Sequence, residues 1–432
     1  MEEFRVPIHD NSPPIEQILR PISYTSWFMG IGIARPRKCS KVVTTVTCIV
    51  HLVVCSVSMM YNVIDLLYFV SVSNFYNHIF LLVFLMNIVT CYVSAYYILY
   101  HGIRQYDKWL MLMDKIEELD QRIRRETHIN DQPVKKAEVV AILATFACCF
   151  LLFIVHIWSF FLHSKDVAWS GSLFYYILAQ SLINSFVFDA VVYVLYYRFQ
   201  TINKLISQLK LSSVPWMAFK IKRIRELHAD ACDLVIMVND IYGLYFLLCA
   251  ANCFTTIVAT LFTNYIVVKE YYNFYHYLFI HNIIWILYTI QFGLMCWICT
   301  LVRQESDKTG IIICAIVLKS KPLNYDILHE IRIKSGLEVQ LKDLNGKQIC
   351  NCTNNLKLNY VIIENLLRRD LDREYVRNEI NDFSLQLQHR RVAFTACDFF
   401  EMNNALFCGV STKFIYFFII YVILITYELQ GK

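Results

Sequence analysis

Seven apolar stretches punctuate this chain, and nearly all of its Lys and Arg residues fall in alternate gaps between them. The stretches are Val42–Met60, His78–Tyr100, Ala137–Leu162, Leu173–Tyr197, Ile241–Val268, Tyr277–Val302 and Ala405–Tyr427. Each is close to or above the roughly 20 residues that a helix needs to cross about 30 Å of hydrocarbon. Of the 40 basic residues, 36 lie before Val42 or in the gaps after the second, fourth and sixth stretches. Cytosolic loops hold the excess of Lys and Arg, so the pattern predicts a cytosolic amino terminus and, with seven spans, an outer carboxyl terminus. The fold class is an all-α membrane protein of seven transmembrane helices with a helical cytosolic base.

Only 17% of residues are charged and 57% are hydrophobic, whereas an ordinary soluble domain carries about 25% charged residues. The formal net charge of +5 therefore reads as loops facing an anionic leaflet, and no nucleic-acid partner is expected. No apolar core closely follows the amino terminus, so the first span is expected to serve as an uncleaved anchor. Most of the 16 cysteines lie inside spans and none lies in the short outer gaps, which leaves no extracellular disulfide framework. Cys350 and Cys352 lack a His or second Cys pair nearby and read as free thiols rather than a metal site. The sequon at Asn351 falls on the same cytosolic side and should be unused. Catalytic motifs are missing: there is no G-x-S-x-G, no H-E-x-x-H and no glycine loop for phosphate. Neither an enzyme nor a cofactor is indicated.

The chain divides into a cytosolic or interfacial segment (1–41), six spans with helical extensions (42–302), and a cytosolic segment with a polar insertion (303–360). A cytosolic helix with a motif (361–404) and the last span (405–432) complete it. Ile18–Ala34 is broken by Pro21, Gly30 and Gly32 and is expected at the inner interface, with Trp27 and Phe28 at headgroup depth. Tyr106–Arg125 carries apolar residues at helical spacing and predicts an amphipathic cytosolic helix, ended by Asn130-Asp131-Gln132-Pro133. Phe199–Leu209 and Phe219–Met237 predict further helices at the inner face, and Pro322–Asn359 reads as a flexible insertion.

Polar residues at membrane depth are costly and therefore mark cavities or pathways. The predicted outer half holds His78, His156, Trp158, Tyr175, Tyr176, Gln180, Asn184, Asn264, Tyr265, His281, Asn282, Trp285 and Tyr288. Aromatic rings with a few amide and imidazole groups suit a pocket for a small organic molecule. His156, Tyr176, Gln180, Asn184, Asn282, Trp285 and Tyr288 are the candidate ligand residues. Each alone also fits an interfacial belt or a helix-to-helix hydrogen bond. Asp189, well inside the fourth span, is expected to pair with a neighbouring helix, the alternative being that it lines a wet path.

Lys308-Thr309-Gly310-Ile311-Ile312, then Phe383, Ser384, Leu385, Gln386, Leu387 and His389, then Phe394, Thr395, Ala396, Cys397, Asp398, Phe399 and Phe400 form a distinctive run. This run resembles the approach to the last helix in insect gustatory receptors, and the length, layout and short outer loops are similar to that family. The resemblance implies a homotetrameric ligand-gated cation channel, or co-assembly with other gustatory receptors, related in fold to the insect odorant receptors. Ligand would enter an outer-leaflet pocket among spans two to six, and the seventh helices would surround one pore. Extensions of spans four, five and six, with a helix from Tyr360–His389, would anchor the subunits, and Phe394 and Phe399 would both be packed. The expected function is detection of a small-molecule tastant at the plasma membrane. A small-solute transporter and a non-conducting subunit are the alternatives. After Gly409 the family-typical Thr-Tyr and Gln-Phe are missing, and the tail reads as translated intron or, if genuine, as an altered pore wall.

Overall fold

The structure, a computed structural model, describes residues 15–31, 39–72, 78–104, 106–129, 131–162, 168–209, 214–270, 275–319 and 374–413, with 416 and 423. Helices dominate these residues: α1 (Ile15–Ile18), α2 (Arg20–Phe28), α3 (Lys41–Val72), α4 (His78–Arg104), α5 (Tyr106–Arg124), α6 (Gln132–Leu162), α7 (Ala168–Gln208), α8 (Val214–Glu270) and α9 (Tyr275–Lys319). Residues 374–389 and 404–413 are also helical, and Thr395 and Glu401 form an isolated antiparallel bridge.

Six helices among the described residues are long and apolar enough to cross a membrane, in α3, α4, α6, α7, α8 and α9. The chain is a multi-pass membrane protein. Only the start of the predicted seventh span, 404–413, is described as a continuous helix. The polar insertion Pro322–Asn359, with Cys350, Asn351 and Cys352, lies outside the described residues. The predicted amphipathic helix is α5, and α6 starts at Gln132 with Pro133 in its first turn, where a missing N–H costs nothing. Phe199–Leu209 continues α7, and Phe219–Met237 lies within α8, which runs unbroken for 57 residues.

The chain forms two compact units. The first comprises Met1–Phe199, Asp230–Gln304 and Val392–Lys432; the second comprises Gln200–Ala229 and Glu305–Arg391. In the first unit α7 is central: 94% of its apolar stretch is buried, against 22% for α3 and for α6. The outward residues of α3 and α6, such as Val46, Val53, Leu143 and Phe150, are exposed and apolar, as lipid contact requires. Phe188 on α7 packs edge-on against Phe246 of α8, with ring centroids 4.7 Å apart. Asp189 accepts a 2.7 Å hydrogen bond from Gln291 Nε2 of α9, the inter-helix pairing expected for a carboxylate at that depth.

In the second unit Ile206, Leu209, Ile221, Ile224, Ile313, Ile380 and Phe383 surround a void of about 10 Å³. Phe383 is buried and meets His228 edge-on at 5.6 Å. Polar closure comes from Asn203, which donates to Glu305 Oε1 at 3.0 Å and accepts from Thr309 Oγ1 at 2.7 Å. Gln386 Nε2 donates to the Arg225 carbonyl at 3.1 Å, while Arg225 pairs with Glu379 at 3.2 Å and with Asp382 at 2.8 Å. The expected cytosolic helix is described from residue 374 to 389, with His389 exposed at its end.

Candidate functional site

The candidate ligand residues separate into small groups around α7 and α9. Tyr176 and Gln180, one turn apart on α7, lie on one face. Gln180 Nε2 donates to the Met29 carbonyl at 2.7 Å and to the Tyr176 hydroxyl at 3.0 Å. The Tyr176 hydroxyl also bonds His51 Nδ1 of α3, and the two rings stack with centroids 5.8 Å apart. The amino-terminal segment therefore does more than lie at an interface: its end reaches α3 and α7. On α9, Trp285 Nε1 donates to Asn282 Oδ1 at 2.5 Å, and Asn264 Nδ2 of α8 approaches the same oxygen at 3.4 Å. Tyr288 is buried, its hydroxyl 3.4 Å from the Leu178 carbonyl. Asn184 is fully buried, and neither polar atom of its amide has a hydrogen-bond partner among the described residues. His156 lies on α6, but its side chain is outside the described residues, as are those of His78, Trp158, Tyr265 and His281.

Sequence reasoning missed the α3 and α4 contribution. Tyr92 bonds Ser58 at 2.7 Å and accepts from Asn62 Nδ2 at 2.7 Å; Tyr96 bonds Ser56 at 2.8 Å. Tyr92 packs with Cys55, Ile88, Ala95, Leu99 and Ile177, bordered by Phe174, Tyr96 and Tyr176. Serines and tyrosines are unremarkable on apolar helices, and the signal present was their register: Tyr92 and Tyr96 are one turn apart. Deeper between α4 and α8, Cys91 Sγ lies 2.9 Å from Asn252 Oδ1, and Thr90 bonds Thr255 at 2.9 Å. Every polar group in these clusters is neutral hydroxyl, amide, thiol or imidazole. Groups of this kind can orient an uncharged molecule through hydrogen bonds and ring contacts. No group of His, Cys, Asp and Glu among the described residues could hold a metal ion.

The motif before the last helix folds into a tight hairpin. Cys397 and Asp398 take φ of 50° and 62°, and the Phe399 N–H donates to the Ala396 carbonyl at 3.0 Å, a type I′ turn. Met402 N–H donates to Phe394 O at 2.8 Å, and Ala396 N–H to Phe400 O at 2.9 Å. Asn239 on α8 clamps it, donating to Ala393 O at 2.7 Å and accepting from Thr395 N–H at 3.3 Å. Phe394 is buried, edge-on to Phe188 at 6.1 Å. Phe399 is 77% exposed, against the expectation that both phenylalanines are packed: the left-handed turn points it away from the bundle. Beyond the hairpin, Asn404 N–H donates to Thr300 Oγ1 at 2.9 Å, and Phe407 fills the space over Gly293 of α9, where a Cβ would lie 2.9 Å from its ring.

The chain belongs to the 7tm chemosensory receptor family, which matches residues 19–326 and 347–430. It is a receptor-family protein, not an enzyme. The segment left out lies inside the predicted polar insertion, and the match carries the likeness through the tail to residue 430, against the expectation that it stops near Gly409. The fold is similar to that of the insect olfactory receptor OR5 from Machilis hrabei in complex with eugenol, with a TM-score of 0.57 at 11% identity, covering 94% of this chain and 98% of that one. A second structure of the same receptor gives a TM-score of 0.55 at 11% identity, covering 94% of this chain and 97% of that one. No curated protein matches the chain in sequence.

Proposed function

We propose that this chain is a subunit of a ligand-gated cation channel that detects small-molecule tastants in the plasma membrane of a sensory cell. It has seven spans and a cytosolic amino terminus, as the placement of its basic residues supports. The observation that carries the ligand-gated part is the set of neutral aromatic, hydroxyl and amide groups of Tyr92, Tyr96, Tyr176, Gln180, Asn282, Trp285 and Tyr288 on α4, α7 and α9. The likeness in fold to an olfactory receptor solved with eugenol supports a small organic ligand. The gustatory assignment rests on the run from Phe383 to Phe400. Assembly as a homotetramer, or with other gustatory receptors, is supported by exposed apolar side chains in the second unit, among them Ile311, Tyr375, Leu385 and Phe219.

The test is calcium imaging of cells expressing the chain, challenged with a panel of sugars and bitter compounds. Trp285→Ala, Tyr176→Phe and Gln180→Leu should each shift the half-maximal concentration of an active compound, by about 1–3 kcal/mol where a buried contact is lost. Unchanged potency in all three variants would place the pocket elsewhere.

A further inference from the structure

Two of the candidate ligand groups are already engaged by the chain's own amino-terminal segment. The Met29 carbonyl accepts from Gln180 Nε2 at 2.7 Å and lies 3.4 Å from the Tyr176 hydroxyl. An amide N–H and a phenol converging on one oxygen would treat the carbonyl or ether oxygen of a ligand in the same way.

The segment is held along its length. Ile15 N–H donates to the Glu117 carboxylate at 3.1 Å and Ile22 N–H to Glu138 at 3.4 Å. Ser26 and Ile31 are fully buried, and Cys48 Sγ lies 3.7 Å from the Gly30 carbonyl. Gly30 is the point of closest approach. Its φ is +81°, and a Cβ there would sit 2.3 Å from the His51 ring, so only glycine lets the backbone pass that imidazole. His51 in turn bonds Tyr176. One contact is missing from this seat: the Trp27 indole N–H is buried without a partner among the described residues. Release of the segment would restore that hydrogen bond to water or a headgroup.

We propose that residues Ile15–Ile31 form an autoinhibitory strap. The Met29 carbonyl occupies the acceptor position of the Tyr176 and Gln180 pair, and a ligand oxygen takes that position as the strap leaves. The competition rests on the assignment of Tyr176 and Gln180 as ligand groups; the docking of the strap does not.

Hydrogen–deuterium exchange on the purified full chain tests it. The amides of Met29, Gly30 and Ile31, bonded to the carbonyls of Thr25, Trp27 and Ser26, should exchange slowly in the wild type. Gly30→Ala should speed them about tenfold or more, and adding His51→Ala should recover only part of the protection, because the methyl gains room while the positive φ stays unfavourable for alanine. Gln180→Leu should speed them as well, with peptides from the middle of α9 unchanged in every variant. Loss of protection in α9 on Gly30→Ala would mark a folding defect, and Gln180→Leu then decides the matter. Strap exchange unmoved by Gln180→Leu overturns the docking. Cells expressing Gly30→Ala should also carry a larger current without ligand, and a released strap with wild-type resting current overturns the autoinhibition. A strap that responds as stated, with ligand potency unchanged in the Tyr176 and Gln180 variants, retains the docking and removes the ligand assignment.

Discussion

Arg198 of α7 and Asp120 of α5 meet side-on out of solvent, with Nε 2.5 Å from Oδ1 and Nη2 2.7 Å from Oδ2. Asp131 accepts from Arg198 Nη2 at 3.1 Å and is itself held by Arg124 at 2.9 Å. Two guanidinium groups thus balance two carboxylates where the amphipathic helix and the α5–α6 connection meet the central helix. Removing one partner from such a pair strands a buried charge, at about 3–5 kcal/mol. Arg198→Met is expected to lower the thermal unfolding midpoint of the detergent-solubilised protein sharply, and Arg198→Met with Asp120→Asn to recover part of the loss. A single variant as stable as the wild type would show that the cluster is solvated.

Burial pushes the Asp120 carboxyl up to about 6 from its ordinary 3.8, and neighbouring Asp131 and Glu117 add to this against the pull of Arg198. A carboxyl whose value is raised by folding binds its proton more tightly in the folded state. Its stabilising contribution is complete below the ordinary value and is lost as pH rises through about 6. Comparing unfolding midpoints at neutral and mildly acidic pH, the wild type should gain on Asp120→Asn as pH falls. A gap that is flat or opposite in slope assigns the pH response to other groups.

The two phenylalanines of the hairpin separate cleanly. Phe394→Asp places a charge against Phe188 and should abolish the monodisperse peak in size-exclusion chromatography, since losing a buried aromatic costs about 3–5 kcal/mol before the charge is counted. Phe399→Asp changes an exposed position and should leave the fold of the single chain within about 0.5 kcal/mol of wild type. Equal damage from both would mean that Phe399 is covered in the folded chain.

Six of the expected spans were legible because lipid forces long apolar helices, visible without partners or contacts. The amphipathic α5 was legible for the same reason: of Trp109, Leu110, Met113, Ile116, Leu119 and Ile123, which recur at helical spacing, all but the half-buried Leu110 are buried. Contacts between distant segments were not legible. Nothing local to Met29 or Gly30 announces that they reach His51, Tyr176 and Gln180, and the positive φ at Gly30 is silent in a sequence where glycine fits any loop. Phe399 shows the opposite failure: an aromatic residue in the segment feeding the last helix was expected inside, but two consecutive left-handed residues turned it outward. At Asn184 the expectation of an orienting amide met a buried group whose hydrogen bonds are unmade among the described residues.

Whole-cell recording from cells expressing only this chain, with an active compound from the tastant panel applied outside, is the most direct test of the central claim. A conducting receptor predicts an inward current that appears within milliseconds, without nucleotide in the pipette, and whose reversal potential follows replacement of the external monovalent cation. A compound that binds and alters the protein's exchange or thermal stability while evoking no cation current would contradict a ligand-gated channel.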